Sequence, residues 1–416
     1  MQTSKKINYK EIISCRLCNS DKLINIVDLG SQYIQHSFIH PVKSVGIAQK
    51  YPTQLVRCKN CGLVQLKHTV NRDILYSVYW YRSGTNNTMK KHLKDMVKEI
   101  MGIVKVKRPK ILDIGCNDGT MLTMFPTDTK KVGIDPSDIS QGEPSDFKLI
   151  SDFFPSKKLS DKKFDIITSI AMFYDVDDPV FFAKEVKKLL TKNGVWVVEV
   201  AYLPTMLKNN SYDTICHEHL LYFHLEALEK IATLAGLKIV KADLNNINGG
   251  SIRCYLTLKN TNKYNNISSQ ISQIRQEEKD AKLSNQKIYS DFKKNIANSK
   301  KVLLKLLEKL NKENKIIHIY GASTKGNTIL QYCGIGRDLI QFAADKNPEK
   351  WGAKTPGSEI TIISEKESRR KKPDYFLVLP WSFKNEFLLR EKKLLDAGTG
   401  MIFPLPEVEI INKDYL

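Results

Sequence analysis

The sequence predicts an α/β protein: two units of alternating strand and helix, joined by a long helical stretch and preceded by a small irregular module. Three observations predict it. Between about residues 110 and 200 the apolar runs KILDI, VGID, FDIITS and VWVVEV alternate with helical stretches such as Pro179–Leu190, a pattern that builds a mostly parallel sheet covered by helices. A second series starts at Lys315 with KIIHIYGASTKGNT and continues through LIQFAADKNP and DYFLVLP to GMIFPLP. Ahead of both, two CxxC pairs fall within the first 61 residues.

The leading module, residues 1–85, is defined by Cys15, Cys18, Cys58 and Cys61. Paired CxxC knuckles present four thiolates to one tetrahedral zinc, and with every ligand position filled by cysteine such a zinc is structural. Neither pair lies at a strand-to-helix turn, where a thiol redox motif belongs. The run Leu63–Leu66 behind the second knuckle reads as a strand.

Residues 86–262 form the first strand–helix unit. LKIVKADL and IRCYLTL, which flank Asn248–Ser251, are read as its antiparallel edge. Residues 263–312 are charged, with Ile267, Ile271, Ile274 and then Ile288, Phe292, Ile296 at helical spacing, and form an amphipathic connector. Residues 313–416 form a second, smaller Rossmann-like unit.

Composition narrows the partners. The chain has 416 residues, 42% of them hydrophobic, and a formal net charge of +20. Only 11 of its 65 basic residues are arginine, and the lysines are spread through every segment. Base readout and phosphate forks favour arginine, so this distribution argues against a nucleic-acid partner and is compatible with a small anion. The opening MQTSKKINYK is polar, and no run approaches the roughly 18 apolar residues of a membrane span. With eight cysteines, half of them in knuckles, a reducing, cytoplasmic setting and no membrane partner are expected, for a monomer or weak homo-oligomer.

Chemistry concentrates in three places. The first is the strand and glycine turn Ile111–Thr120, with Asp113, Gly115, Asn117, Asp118 and Gly119. Its spacing differs from the GxGxxG of dinucleotide sites. With Asp135 at the next strand end, placed for a ribose diol, it resembles the S-adenosylmethionine (AdoMet) arrangement of a class I methyltransferase. Asp152 and Phe153 then suit the adenine edge and face. Cys116 reads as a small filler, and Thr168–Asp178 should border the pocket. The second is Tyr212–His224, with His217, His219, His224 and Glu218. A histidine is well placed to move a proton near neutral pH, and a neighbouring glutamate raises its basicity. Metal ligation by His217 and His219, without an evident third ligand, and plain hydrogen bonding in a domain seam are the rival readings. The third is Tyr320–Thr328, where Ser323, Thr324 and Lys325 open a helix and offer donors to a diphosphate.

Taken in order, the two knuckles, LDIGCNDGT, CHEHLLYF, NGGSIR and GASTKGNT resemble the zinc-containing sugar C-methyltransferases, which act on nucleotide-linked ketosugars in deoxysugar and polysaccharide pathways. The resemblance covers nearly the whole chain. It implies a zinc-binding N-terminal domain, a central class I AdoMet methyltransferase domain and a C-terminal Rossmann-like domain for the nucleotide sugar. It further implies that His219 takes a proton from the carbon beside a keto group, with Glu218 its neighbour. Tyr79 and Tyr81 then flank the sugar and the methyl donor, and His217, Tyr222, Asn248, Arg253, Ser323, Thr324, Lys325 and Asn327 meet the substrate. Two residues depart from the family pattern at the reaction centre: Cys216 stands where a tyrosine often precedes HEH, and Asp175 where a histidine often stands. An O-methyltransferase acting on a nucleotide sugar or glycan precursor, and a zinc-containing RNA methyltransferase, are the alternative readings. RNA methylation gives the third domain no task.

Overall fold

A computed structural model describes residues 8–40, 49–76, 80–137, 146–264 and 267–413; Tyr79 lies outside them. The central unit is a seven-stranded sheet in the order Leu237–Asn245, Ser251–Leu258, Leu190–Ala201, Phe164–Ile170, Lys110–Ile114, Lys130–Asp135, Lys148–Ser151. Its last five strands are parallel, and Ser251–Leu258 runs antiparallel to both of its neighbours. The predicted antiparallel edge is therefore present. Strand order reverses between Lys110–Ile114 and Phe164–Ile170, so the crevice that open α/β sheets use for ligands lies at the carboxyl ends of these strands.

Helix Pro179–Leu189 shows how the sequence sets such an element. Asp178 caps it by accepting the Phe181 amide at 2.8 Å, Pro179 occupies the first turn, and Phe182, Ala183 and Val186 are buried. The connector is two helices, Ile271–Asp280 and Gln286–Lys312. The longer one buries Tyr289, Phe292, Ile296, Leu303, Leu307 and Leu310 along one face.

The C-terminal sheet has six strands, ordered Thr361–Ser364, Phe342–Asp345, Ile317–Tyr320, Tyr375–Val378, Gly400–Phe403, Glu409–Ile411, all parallel except the last. Its own reversal falls between Ile317–Tyr320 and Tyr375–Val378.

The N-terminal module carries an antiparallel sheet of Leu23–Gln32, Tyr51–Cys58 and Val64–Leu66. A fourth strand, Leu221–Tyr222, arrives from beyond the histidine segment and pairs with Val64 and Gln65. One buried apolar cluster runs from Leu55 and Leu66 through Ile167 and Trp196 to Ile319 and Leu377, so the three parts share a core. Among the described residues, no helix is long and apolar enough to cross a membrane.

Candidate active site

The carboxyl ends of both parallel sheets open onto one cavity of about 1300 Å³, walled by all three parts of the chain. That exceeds the space one small ligand needs.

On the central side, Gly115 turns the chain with φ +73°, and a Cβ there would lie 2.8 Å from Met172, so only glycine fits. The Asn117 amide donates to Asp135 Oδ2 at 2.8 Å, and the Ser137 amide donates to Oδ1 at 2.9 Å. Asp113 accepts from Thr168 Oγ1 at 2.6 Å. Burial, reinforced by the nearby Asp135, pushes the Asp113 carboxyl up to about 7. A buried carboxylate with no cationic neighbour strong enough to hold its charge suits a positively charged ligand, and AdoMet carries both a sulfonium and an ammonium. Asp113, Gly115, Asn117, Asp135, Asp152 and Phe153 all line the cavity, and the chemistry of these six suits that group.

Two of the predicted cofactor contacts do not. Asp118 accepts the Gly84 amide at 2.8 Å and the Thr120 amide at 3.1 Å, and Gly119 lies beneath Phe147; both shape the turn and neither lines the cavity. Asn117 also holds the tyrosine segment, donating from Nδ2 to the Tyr81 carbonyl at 2.9 Å and accepting the Ser83 amide at 3.0 Å. Tyr81 reaches the cavity wall and is 44% exposed.

The histidine segment divides. His219, Glu218 and Cys216 line the cavity. His219 Nδ1 sits 2.8 Å from the Thr214 carbonyl. A carbonyl only accepts, so Nδ1 carries the proton and Nε2 is left with its lone pair. Burial first, and the charge of Lys325 second, hold the ring down to about 4; His219 is neutral at pH 7. Burial pushes Glu218 up, but His36 in direct contact keeps it below the usual carboxylate range. Beside them, burial and the Glu218 charge raise Asp175 well above an ordinary aspartate, and burial raises the Cys216 thiol.

His217 faces the other way. Its Nδ1 is 2.9 Å from Gln35 Oε1, and its Nε2 is 3.1 Å from both Thr53 Oγ1 and the Tyr51 carbonyl. It contacts neither cavity nor substrate space, and the two histidines do not converge on a metal. Cys216, Glu218 and His219 do bring donor atoms within 4.8 Å of one another. Three further substrate assignments fail on similar grounds. Tyr222 is buried in the strand beside Val64, its hydroxyl donating to the Thr214 carbonyl at 3.2 Å. Arg253 lies opposite Glu199 in the sheet and is spent on Glu199 and Glu99, at 2.8 and 2.7 Å. Asn327 donates to the Gln35 carbonyl at 2.7 Å.

On the C-terminal side, Gly321, Ser323, Thr324 and Lys325 line the cavity, as does Asn248. Ser323 caps helix Thr324–Cys333, its Oγ accepting the Gly326 amide at 3.1 Å. Lys346 and Lys350 add positive charge to this wall.

The four knuckle cysteines form one cluster. Cys15 and Cys61 sulfurs lie 3.6 Å apart, and Cys18 and Cys58 sulfurs 3.5 Å apart, close to the ~3.8 Å edge of a tetrahedron with Zn–S bonds of about 2.3 Å. Gln65 Nε2 and the Leu17 amide donate to Cys15 Sγ at 3.3 and 3.4 Å, as suits thiolates. The donor set fits zinc, held by Cys15, Cys18, Cys58 and Cys61.

Sequence reasoning missed His36 and Trp381, and reached Tyr174 and Asp213 only as members of the segments Thr168–Asp178 and Tyr212–His224, without a role. His36 comes from the N-terminal module onto Glu218, and the Tyr174 ring lies 4.3 Å from that of His219. Trp381 Nε1 donates to Asp213 Oδ2 at 2.9 Å. Each acts across a separation that no local pattern reports.

Family models match the chain in three consecutive parts: a zinc binding domain over 15–76, a methyltransferase domain over 85–242, and a C-methyltransferase C-terminal domain over 246–406. The chain is 27% identical to C-methyltransferase NovU of Streptomyces niveus over 97% of its own length and 98% of that protein. It is 33% identical to the ubiquinone biosynthesis O-methyltransferase of Pelagibacter ubique over 28% of this chain and 51% of that one. The PH0226 protein of Pyrococcus horikoshii OT3 superposes on 43% of this chain and 95% of its own, with 16% identity and a TM-score of 0.37.

Proposed function

Because the chain belongs to the zinc-containing, AdoMet-dependent C-methyltransferases, we propose that it methylates the carbon beside a keto group of a nucleotide diphosphate sugar, through an enolate that His219 forms. The observation that carries this reading is the state of His219 on the cavity wall: neutral, its Nδ1 proton fixed on the Thr214 carbonyl, its Nε2 left with a lone pair. A carbon acid beside a carbonyl needs such a positioned base. AdoMet, held by Asp113, Gly115, Asn117, Asp135, Asp152 and Phe153, supplies an electrophilic methyl group.

His219 Nε2 takes the proton. Glu218, kept ionised against His36, steadies the imidazolium that results. Lys346 and Lys350 of the opposite wall and the amides that open helix Thr324–Cys333 suit a diphosphate. A small nucleotide-linked substrate, a cytoplasmic location and a place in deoxysugar or polysaccharide synthesis go with this reading.

In the test, His219→Ala abolishes turnover while calorimetry shows AdoMet binding intact. Near-normal methylation by the variant would remove His219 as the base. Carbon NMR of the product decides between carbon and oxygen as acceptor, and a methyl carbon bonded to oxygen overturns the reading.

A further inference from the structure

The reaction centre holds a cation that proton transfer to His219 leaves without a task. Lys325 stands in the first turn of helix Thr324–Cys333, which packs against the short turn Tyr212–Thr214. That turn also anchors the base: the Thr214 carbonyl fixes His219 Nδ1. Its neighbour Asp213 is buried, with Oδ2 accepting from Trp381 and Oδ1 lacking a hydrogen-bond partner among the described residues. Among the described residues, Lys325 Nζ makes one long hydrogen bond, 3.4 Å to the Asn248 carbonyl. Burial raises the Asp213 carboxyl and the Lys325 charge opposes that rise; burial first and the Lys325 charge second hold His219 low. Asp213, His219, Lys325 and Trp381 face the same cavity.

We propose that Lys325 is a catalytic residue that holds the keto oxygen of the substrate as it becomes an enolate, with Asp213 and Trp381 positioning it. The proposal rests on the enolate reading above. When His219 Nε2 takes the proton, the C–H electron pair becomes the C=C bond, and the carbonyl π pair moves onto oxygen, where the Lys325 ammonium meets the new negative charge. As the carbon bonds to the methyl group, the oxygen pair reforms the carbonyl, the C–S pair passes to sulfur, and the proton stays on His219 until it is released to water. One turn of chain, Tyr212–Thr214, thus fixes both the base and the counter-charge.

The experiment follows α-proton exchange in deuterated water by NMR. It uses whichever thymidine, uridine or guanosine diphosphate ketosugar the wild type methylates, with S-adenosylhomocysteine replacing AdoMet. Lys325→Met should slow exchange about 10²–10³-fold, the usual loss for an oxyanion donor, while calorimetric affinities for AdoMet and for the free nucleoside diphosphate stay within about threefold. If the variant exchanges at the wild-type rate but loses nucleoside diphosphate affinity, Lys325 grips the diphosphate and the proposal falls, with the enolate reading untouched. If the wild type methylates without any exchange, or methylates no ketosugar, the enolate reading falls and takes the proposal with it. In Asp213→Asn the kcat of exchange should fall while the KM for the ketosugar holds; an unmoved kcat makes Asp213 purely structural.

Discussion

The two glycine turns that face each other across the cavity are built alike and charged oppositely. Gly115 has φ +73° and donates its amide to the Ile134 carbonyl at 2.8 Å; Gly321 has φ +81° and donates to the Ala344 carbonyl at 2.8 Å. The next strand ends in an acid in both cases, Asp135 accepting the Asn117 amide and Asp345 the Asn347 amide, each at 2.8 Å. Around the first turn stand Asp113, Asp135 and Asp152. Around the second stand Lys325, Lys346 and Lys350, with Asp345 answered by Lys350 at 3.4 Å. Backbone geometry supplies the same cradle twice, and side-chain charge sets the two apart: the acidic one suits the cationic methyl donor, and the basic one suits the diphosphate of the substrate proposed above.

The most damaging way to break this comparison is to remove zinc. The N-terminal module reaches the central unit through Arg16 on Asp177, at 2.9 Å, and reaches the second turn through the Gln35 carbonyl on Asn327. Structural zinc sites contribute on the order of 10 kcal/mol to folding. Chelation, or Cys58→Ser, should therefore abolish turnover, with recovery on adding zinc back to the chelated protein. Full activity after metal loss, confirmed by elemental analysis, would detach the module from the site.

A sharper cut is Asp113→Asn, which removes one charged partner. AdoMet should bind about 10–150-fold more weakly, the range for hydrogen bonds to charged groups, while nucleoside diphosphate affinity is unchanged in calorimetry. A parallel loss of both affinities would mean the turns do not discriminate by charge.

The pH dependence is smaller and its sign is fixed. Asp113 titrates near 7, so its raised carboxyl is mostly neutral below that pH and ionised above it. A cationic ligand prefers the ionised form, so AdoMet affinity should fall about tenfold from pH 8 to pH 6, and the stability that bound AdoMet confers should fall with it. Affinity that is flat across this window would place the ligand's charge away from Asp113. The smallest effect belongs to exposed Lys346: Lys346→Ala should weaken nucleoside diphosphate binding about two- to fivefold and reduce its salt dependence, leaving AdoMet affinity unaltered.

Local signals were legible in proportion to their locality. The knuckles, both glycine turns, the antiparallel edge and the connector helices follow from spacing within a few residues, whereas the choice of His219 from its segment rests on the family resemblance. Which way a polar side chain faces does not. His217 and His219 lie two residues apart and serve different parts of the molecule, because Gln35, Thr53 and the Tyr51 carbonyl wait on one side and the cavity on the other. Arg253 resembles a substrate contact in NGGSIR until sheet register sets Glu199 opposite it. Burial makes such an ion pair exclusive, since either partner left alone would be an uncompensated charge.

The strand Leu221–Tyr222 has a consequence for anyone who tries to take the molecule apart. The N-terminal sheet borrows its edge from a segment more than 150 residues downstream. An isolated N-terminal fragment would present Val64–Leu66 with unpaired amides and carbonyls, a surface that recruits other chains and aggregates. During synthesis the module waits for that strand to emerge before its sheet is complete, so the natural unit of folding, expression and engineering is the whole chain.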